Sequence, residues 1–258
     1  MRHAIVSCAA VLVGLVVVGY ASARSDVRNP GKSVADPAAT VGQACVAGSV
    51  QRLGTRRLTF AAIARTEVTA FRSPGRGRFA RFGVRNVNGV ATVFAVRARR
   101  VDGDCLARWY RVQLPIKPNG VRGWVQAKDV ALVRVRTRVV VDLSGRRVML
   151  FSGGRRVLSV RAAIGSSATP TPTGSYYVNQ RLIAPDARGP FGPGAVGISA
   201  YSEVLTGWVQ GGPVAIHGTN RPDLIGQAVS NGCIRVRNDD LRRLFRLARE
   251  GTPVLVRA

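Results

Sequence analysis

Short apolar runs interrupted by turn-forming residues are the feature that most constrains the fold of this chain. From about residue 45 onward, runs rich in valine and aromatic residues alternate with glycine, proline and asparagine. This pattern is typical of short strands joined by tight turns, and it leaves little room for long helices. We therefore expect a mainly β protein.

One segment near the C-terminus has the pattern of an amphipathic helix. Asn238 is of a residue type that caps helix N-termini, and the acidic Asp239 and Asp240 follow in the first turn. Gly251 supplies a signal for the end of the helix. Apolar residues recur at helical spacing, at Leu241, Leu244, Phe245 and Ala248. We expect one clear helix here, followed by a last strand over residues 253–256.

The strand patterns fall into two blocks, which predict two domains in a chain of 258 residues. Residues 45–133 contain short strand patterns with frequent turn signals, as in a small barrel or sandwich. Residues 137–257 contain a series of hairpins, with turns at residues 144–145 and 153–154, and the helix. Residues 24–44 are rich in turn formers without apolar periodicity and are predicted to be a linker.

The N-terminus has the layout of a secretory signal peptide over residues 1–23. Arg2 precedes an uncharged apolar stretch over residues 4–20, and residues 21–23 form an Ala-Ser-Ala cleavage pattern. The alternative is an uncleaved membrane anchor, because a stretch of this length is at the lower limit for crossing a bilayer. The expected location is outside the cytoplasm, in the cell wall or periplasmic space.

The chain is strongly basic, with 39 Lys and Arg against 13 Asp and Glu and a formal net charge of +26. Hydrophobic residues make up 46% of the chain, which excludes a disordered polybasic tail as the whole protein. A positive field of this size gathers anions. Outside the cytoplasm, the expected partners are anionic cell-envelope polymers or lipid head groups, and nucleic acid is not expected.

Three cysteines remain after removal of the signal peptide: Cys45, Cys105 and Cys233. In an oxidising compartment two of them can pair. We favour a disulfide between Cys45 and Cys105, which share the N-terminal half, and two separately buried thiols are the alternative. Cys233 then keeps its thiol, and exported proteins rarely keep a thiol that has no chemical role.

His217 is the only histidine outside the signal peptide, and it follows a short apolar run predicted to be a strand. Cys233 follows in residues 230–236, which read Ser-Asn-Gly-Cys-Ile-Arg-Val. An imidazole can take the proton of a thiol and return it to a leaving amine. The backbone N–H groups of Asn231, Gly232 and Cys233 can converge on an oxyanion. The pattern favours a hydrolase or transferase with a cysteine nucleophile.

Both residues also have simpler interpretations. A lone histidine after a strand is more often a hydrogen-bonded core residue, and a single cysteine in an apolar run is more often buried and inert. A zinc site is disfavoured, because one histidine and one remaining cysteine cannot supply three or four ligands. The sequence contains no P-loop pattern. No metal and no cofactor is expected.

Four motifs occur in a specific order along the second block. Residues 171–178 read Thr-Pro-Thr-Gly-Ser-Tyr-Tyr-Val, and residues 217–220 read His-Gly-Thr-Asn. Residues 230–235 read Ser-Asn-Gly-Cys-Ile-Arg, and residues 251–254 read Gly-Thr-Pro-Val. Together they resemble the L,D-transpeptidase catalytic domain of the YkuD type, over residues 138–257.

The resemblance implies a β-rich fold with the active site under a flap. Cys233 is then the nucleophile that forms a thioester with a peptidoglycan tetrapeptide stem and releases its terminal D-alanine. His217 is the general base and acid, with its other ring nitrogen held by a carbonyl near Gly218. The side-chain amine of a neighbouring stem attacks the thioester and completes a cross-link. The turn and the oxyanion hole are assigned to the three residues before the nucleophile: Ser230, Asn231 and Gly232.

Two positions near the nucleophile leave questions open. Many members of the family have a second histidine where this chain has Asn231, which puts any contribution of that side chain to substrate binding in doubt. Arg235 either orients a substrate carboxylate or pairs with Asp239 or Asp240.

The N-terminal block weakly resembles a bacterial SH3-like domain, in residues 109–112, 120, 123–125 and 129–130. Its implied role is to bind the cell wall, and the alternative is a spacer that positions the catalytic domain. Tyr201 and Trp208 are candidates for a peptide groove, although packing in the core or the flap is the more common role of such residues.

The predicted function is therefore a secreted L,D-transpeptidase that carbapenems inhibit covalently. Three alternatives keep part of this interpretation. Water as the acyl acceptor gives an L,D-carboxypeptidase, and a protein amine gives attachment of a protein to peptidoglycan. The third alternative is a catalytically silent wall-binding protein. The sequence does not determine the oligomeric state.

Overall fold

The computed structural model describes residues 46–205 and 212–258. Within these ranges the chain is mainly β, with one α-helix, as predicted. Two eight-stranded sheets account for most of the strands. The predicted signal peptide, the predicted linker, Cys45 and Trp208 lie outside the described residues. None of the helices in the described ranges is long and apolar enough to cross a membrane.

The first sheet is antiparallel throughout and lies N-terminal in the chain. Its strands are β1 Val50–Arg52, β2 Thr59–Ala64, β3 Val68–Ser73, β4 Arg76–Phe82, β5 Val93–Val101, β6 Ala107–Gln113, β7 Arg122–Gln126 and β8 Val130–Val135. They are ordered β4-β3-β7-β6-β5-β2-β8, and β1 pairs with β5. One face covers an apolar core that includes Phe60, Phe94 and Leu114. The SH3-like assignment of this block stays a prediction.

The second sheet is mixed and lies C-terminal. The remaining strands of the chain are β9 Thr137–Asp142, β10 Arg147–Ser152, β11 Arg155–Arg161, β12 Ile164–Gly165, β13 Gly174–Ile183, β14 Gly194–Tyr201, β15 Pro213–His217, β16 Ala228–Ser230, β17 Ile234–Arg235 and β18 Pro253–Arg257. Eight of them are ordered β11-β10-β9-β18-β13-β14-β15-β17, while β12 pairs with β16. The pairs β9–β18 and β15–β17 are parallel, and the others in the large sheet are antiparallel.

The predicted hairpins and the last strand are present. Strands β9, β10 and β11 form consecutive antiparallel pairs, joined by turns at residues 143–146 and 153–154. Gly153 and Gly154 both have positive φ, a backbone conformation that glycine adopts without strain. The turn-forming residues of the sequence therefore locate these chain reversals correctly.

The helix α1, Asn238–Leu247, packs its apolar face onto the second sheet. Leu241, Leu244 and Ala248 are buried in the core of that sheet, and Phe245 packs against it. The prediction that Asn238 caps the helix is wrong: Arg237 occupies the N-cap position and no side chain caps the helix there. Asn238 instead binds a loop in the candidate site, as described below.

The two sheets contact each other closely. Only Arg136 separates β8 from β9. Ala61, Val93 and Val135 form a small apolar cluster on the side of the first sheet opposite its main core. A Cβ atom built on Gly251 would overlap the Cβ atom of Ala61, so only glycine permits this approach. The interface therefore has the tight packing of a protein interior.

Hydrogen bonds across the interface fix the relative position of the two sheets. The fully buried Tyr177 hydroxyl donates to the Val93 carbonyl at 3.0 Å. The Asn119 side chain accepts from the Tyr201 N–H at 2.8 Å and donates to the Tyr201 carbonyl at 2.9 Å, as a neighbouring strand would. The Tyr201 hydroxyl donates to the Pro115 carbonyl. These contacts support the interpretation of the N-terminal block as a unit that positions the second sheet.

The buried tyrosine bond gives a test of this interface. Tyr177→Phe removes the hydroxyl and leaves the Val93 carbonyl buried without its donor, so we expect the free energy of unfolding to fall by about 1–2 kcal/mol. Tyr176→Phe is the matched control, because the Tyr176 hydroxyl donates to the carbonyl of the exposed Thr173, where water can replace it. Urea unfolding of both variants measures the difference, and equal losses would contradict the role of Tyr177.

Candidate active site

A parallel pair of strands brings His217 and Cys233 to one place. β15 ends at His217, and Ile216 pairs with Ile234 of β17, directly after Cys233. Ile216 and Ile234 both face the core of the second sheet. Because side chains alternate across a strand, His217 and Cys233 lie on the opposite face. The two residues predicted from the sequence are therefore neighbours in the fold, although they are distant in the chain.

His217 is held in one orientation and is almost completely buried. Its Nδ1 atom lies 2.6 Å from the Gly218 carbonyl, the contact that the family resemblance implied. This bond fixes Nδ1 as the protonated nitrogen, so Nε2 carries the lone pair. The Phe191 ring packs at 4.9 Å from the imidazole, and the residue is 4% exposed.

Burial keeps His217 neutral. The pKa is lowered from 6.5 to about 4, chiefly because the buried imidazolium loses hydration, and the charge of Arg235 lowers it further. The bond to the Gly218 carbonyl opposes this shift, because it favours the charged form. At neutral pH the ring is therefore a proton acceptor.

Ser230 organises the turn before Cys233. Its hydroxyl donates to the Cys233 carbonyl and accepts from the Gly232 N–H at 3.2 Å. Gly232 has φ +102°, a conformation that a side chain would strain. The Gly232 N–H is therefore occupied, which corrects the expectation that it points at an oxyanion. Asn231 is exposed, and its N–H and that of Cys233 stay the candidates for this role.

The segment just before the upstream motif forms hydrogen bonds with this turn. Thr169 donates its hydroxyl to the Ser230 carbonyl at 2.9 Å, and the Ser166 N–H donates to the same oxygen. The buried Thr171 hydroxyl accepts from the Gly165 N–H at 2.9 Å. Of the motif in residues 171–178, Thr171 alone takes part here: it holds Gly165 of β12, which pairs with Ser230 of β16.

Asn238 is a site residue whose role the sequence did not indicate. Its Oδ1 atom accepts from the Thr219 N–H at 2.8 Å, next to the carbonyl that holds His217. Cβ atoms built on Gly192 or Gly218 would overlap this oxygen. The carboxamide therefore occupies a notch between the loop that carries Phe191 and the loop after β15. No local pattern signals this contact, because the glycines are far away in the chain.

Arg235 lies beside the pair, and no aspartate or glutamate of residues 46–205 and 212–258 forms an ion pair with it. Its Nε atom is buried and makes no hydrogen bond. The predicted alternative, an ion pair with Asp239 or Asp240, is not formed, and Asp239 binds Arg242 at 2.7 Å instead. The guanidinium is thus available to an anionic group of a substrate.

The cysteines differ in chemical state. Cys105 is disulfide-bonded, which rules out the alternative of a buried thiol there, while its predicted partner Cys45 lies outside the described residues. Cys233 keeps its thiol and is partly accessible. Among residues 46–205 and 212–258, no three His, Cys, Asp or Glu side chains are grouped closely enough to hold a metal ion.

The lowered pKa of His217 predicts how stability depends on pH. Between pH 6.5 and about 4, the unfolded chain carries a proton on this residue that the folded protein lacks, so stability falls as the pH falls through this window. From pH 7.5 to pH 5 we expect the wild type to lose about 2 kcal/mol more than His217→Gln. Urea unfolding at both pH values measures this, and parallel losses would contradict it.

The hydrogen bond between Asn238 and Thr219 predicts a second effect on stability. Asn238→Ala removes the acceptor of the Thr219 N–H, and we expect the free energy of unfolding to fall by about 1–3 kcal/mol. Asn238→Asp keeps an oxygen at the same place and is the matched control, with a smaller loss. Hydrogen exchange of the Thr219 amide should become faster in the alanine variant alone. Unchanged exchange there would rule out the contact as a stabilising one.

Comparison with known proteins shows which family this part of the chain resembles. Residues 136–256 match the model of the YkuD family, described as the L,D-transpeptidase catalytic domain. YkuD of Bacillus licheniformis, an inferred L,D-transpeptidase, is 38% identical over 46% of this chain. YkuD of Bacillus subtilis, also inferred, is 36% identical over 46% of this chain. The matched segment spans 64% of the length of each relative.

Solved structures of proteins named L,D-transpeptidase are also similar to part of this chain. L,D-transpeptidase 3 from Mycobacterium tuberculosis, in complex with a faropenem-derived adduct, is 16% identical with a TM-score of 0.39. The similarity covers 59% of this chain and 92% of that one. By the match of the family model and of the two bacillar relatives, residues 136–256 are similar to the L,D-transpeptidase catalytic domain of the YkuD family.

Proposed function

We propose that this protein cross-links peptidoglycan by L,D-transpeptidation through a thioester on Cys233. The observation that carries the proposal is the placement of His217 and the Cys233 thiol on one face of a parallel strand pair, inside the matching domain. The donor is a tetrapeptide stem, and the acceptor is the side-chain amine on the diamino acid of a neighbouring stem.

The first half of the reaction forms the acyl-enzyme. Neutral His217 takes the thiol proton on Nε2, and the sulfur of Cys233 attacks the carbonyl carbon that precedes the terminal D-alanine. The tetrahedral intermediate collapses, the C–N bond breaks, and the imidazolium returns the proton to the leaving amine of D-alanine. The bond from Nδ1 to Gly218 keeps the ring aimed throughout.

The second half transfers the acyl group. The amine of the acceptor stem attacks the thioester carbonyl, His217 accepts its proton, and the thiol leaves with a proton from the imidazolium. The loop that carries Phe191 keeps water away from the imidazole, which favours an amine over water as the acceptor. Arg235, which has no acidic partner, binds a carboxylate of the substrate.

Export and wall retention belong to the same proposal. The predicted signal peptide places the enzyme with its substrate, and the net charge of +26 attracts it to anionic envelope polymers.

The nucleophile assignment has a direct test. We expect a carbapenem to add its mass to the wild-type protein, and we expect no adduct on Cys233→Ala, because only a thiolate opens the lactam in this site. His217→Gln should form the adduct at least about 100-fold more slowly, since the general base is lost. Intact-mass spectrometry measures both. An adduct that persists in Cys233→Ala would reject the assignment.

Product analysis then identifies the acceptor. Incubation of the wild type with a purified disaccharide-tetrapeptide should give a cross-linked dimer and D-alanine in equal amounts. Tripeptide with no dimer would indicate a carboxypeptidase, and a dimer that forms only with an added protein amine would indicate attachment of a protein to the wall. Sacculus binding without any turnover would indicate a silent wall-binding protein.

A further inference from the structure

The peptide group between Gly218 and Thr219 is hydrogen-bonded at both ends. Its carbonyl oxygen lies 2.6 Å from Nδ1 of His217, and its N–H donates to Oδ1 of Asn238 at 2.8 Å. The carbonyl and the N–H belong to one planar unit, so they point in opposite directions and turn together. A chain of two hydrogen bonds therefore connects the Asn238 carboxamide to the imidazole of His217.

Close packing surrounds this peptide group. A Cβ atom built on Gly192 would lie 2.9 Å from the Thr219 nitrogen. Thr219 is 3% exposed, so water has little access to its N–H. Because a buried N–H without an acceptor is costly, the Asn238 oxygen favours the orientation of the peptide group in which the Gly218 carbonyl faces His217.

The start of the helix α1 fixes Asn238 relative to the strand that carries His217. Asn238 is the first residue of the helix, and Leu241 and Leu244 anchor the helix in the core of the second sheet. Two residues before Asn238, the Val236 N–H donates to the His217 carbonyl at 2.9 Å. This segment is therefore bound both to the backbone of His217 and, through the peptide group, to its ring.

The hydrogen bond to Asn238 also affects the charge that His217 can carry. When a peptide N–H donates a hydrogen bond, its own carbonyl becomes more polarised and accepts a stronger bond. The Gly218 carbonyl raises the pKa of His217, against the larger effect of burial, which lowers it. Asn238 therefore strengthens the contact that stabilises the imidazolium, and it keeps the proton of the neutral ring on Nδ1.

We propose that Asn238 is a positioning residue for His217, which acts through the peptide group between Gly218 and Thr219 and keeps Nε2 free to take the proton of the Cys233 thiol. The inference rests on the proposed function, in which His217 is the general base. Without the Asn238 oxygen, the peptide group loses the contact that holds its orientation, and the Gly218 carbonyl no longer fixes the tautomer of the ring. A side chain that only filled space would affect stability and leave the imidazole unchanged.

The first test observes the ring in the resting enzyme. Heteronuclear NMR of the full chain labelled at histidine, with His217 assigned from His217→Gln, reports which ring nitrogen carries the proton. We expect the proton on Nδ1 in the wild type and a mixture of both tautomers in Asn238→Ala. The Nδ1 proton should exchange with water about tenfold faster in that variant, because its hydrogen bond is weakened. Asn238→Asp keeps an oxygen acceptor and should retain the wild-type signals.

Tyr177→Phe is the matched control, because it also removes a buried hydrogen bond but acts at the interface between the two sheets. The His217 signals should be the same in this variant as in the wild type. Unchanged tautomer and exchange in Asn238→Ala would overturn the inference, and so would equal changes in both variants. If Asn238→Ala does not fold, Asn238→Ser takes its place, since the serine hydroxyl is one bond too short to reach the Thr219 N–H.

The second test measures catalysis. At saturating carbapenem, the rate constant for acylation of Cys233 should fall about tenfold in Asn238→Ala. The carbapenem concentration that gives the half-maximal rate should change by less than about twofold, because Asn238 acts on the base and not on the ligand. Asn238→Asp should recover most of the rate, and Tyr177→Phe should keep it.

A wild-type acylation rate in Asn238→Ala would contradict the positioning role. If the wild type forms no adduct on Cys233, the proposed function fails, and the NMR result still decides whether Asn238 orients His217.

Discussion

The parallel pairing of β15 with β17 is the contact on which the site depends. Ile216 and Ile234 face one core, and this pairing places His217 and Cys233 on the other face of the same two strands. A shift of β17 by one residue would turn Cys233 toward the core while His217 stayed on the other face. The positions of these two side chains are therefore fixed by apolar packing on the opposite side of the sheet.

The surroundings of His217 balance two opposing effects. Burial under Phe191 lowers the pKa and keeps the ring neutral, while the Gly218 carbonyl stabilises the charged form. Both effects suit the general base of the proposed reaction, which must be neutral before the reaction and must accept a proton during it. Asn238 holds the two loops that supply these groups, through one hydrogen bond and a notch that only glycine leaves open.

The first sheet packs directly against the second sheet. Buried contacts such as that from Tyr177 to Val93 hold it against the second sheet, and the two sheets together enclose a cleft. The whole chain carries a formal net charge of +26. In the proposed function, this charge attracts the protein to anionic polymers of the cell envelope.

The sequence by itself determined the strand-rich class, the hairpin turns and the apolar stripe of the helix, and it singled out Cys233 and His217 as candidate site residues. These depend on local periodicity, on turn chemistry and on the scarcity of reactive residues. Tertiary structure alone decided that Asn238 binds a loop instead of capping the helix, that Ser230 occupies the Gly232 N–H, and that Arg235 has no acidic partner. It also created the cleft at Gln180. Each of these depends on groups that are far apart in the chain and meet only when the sheets pack, so no local pattern can encode them.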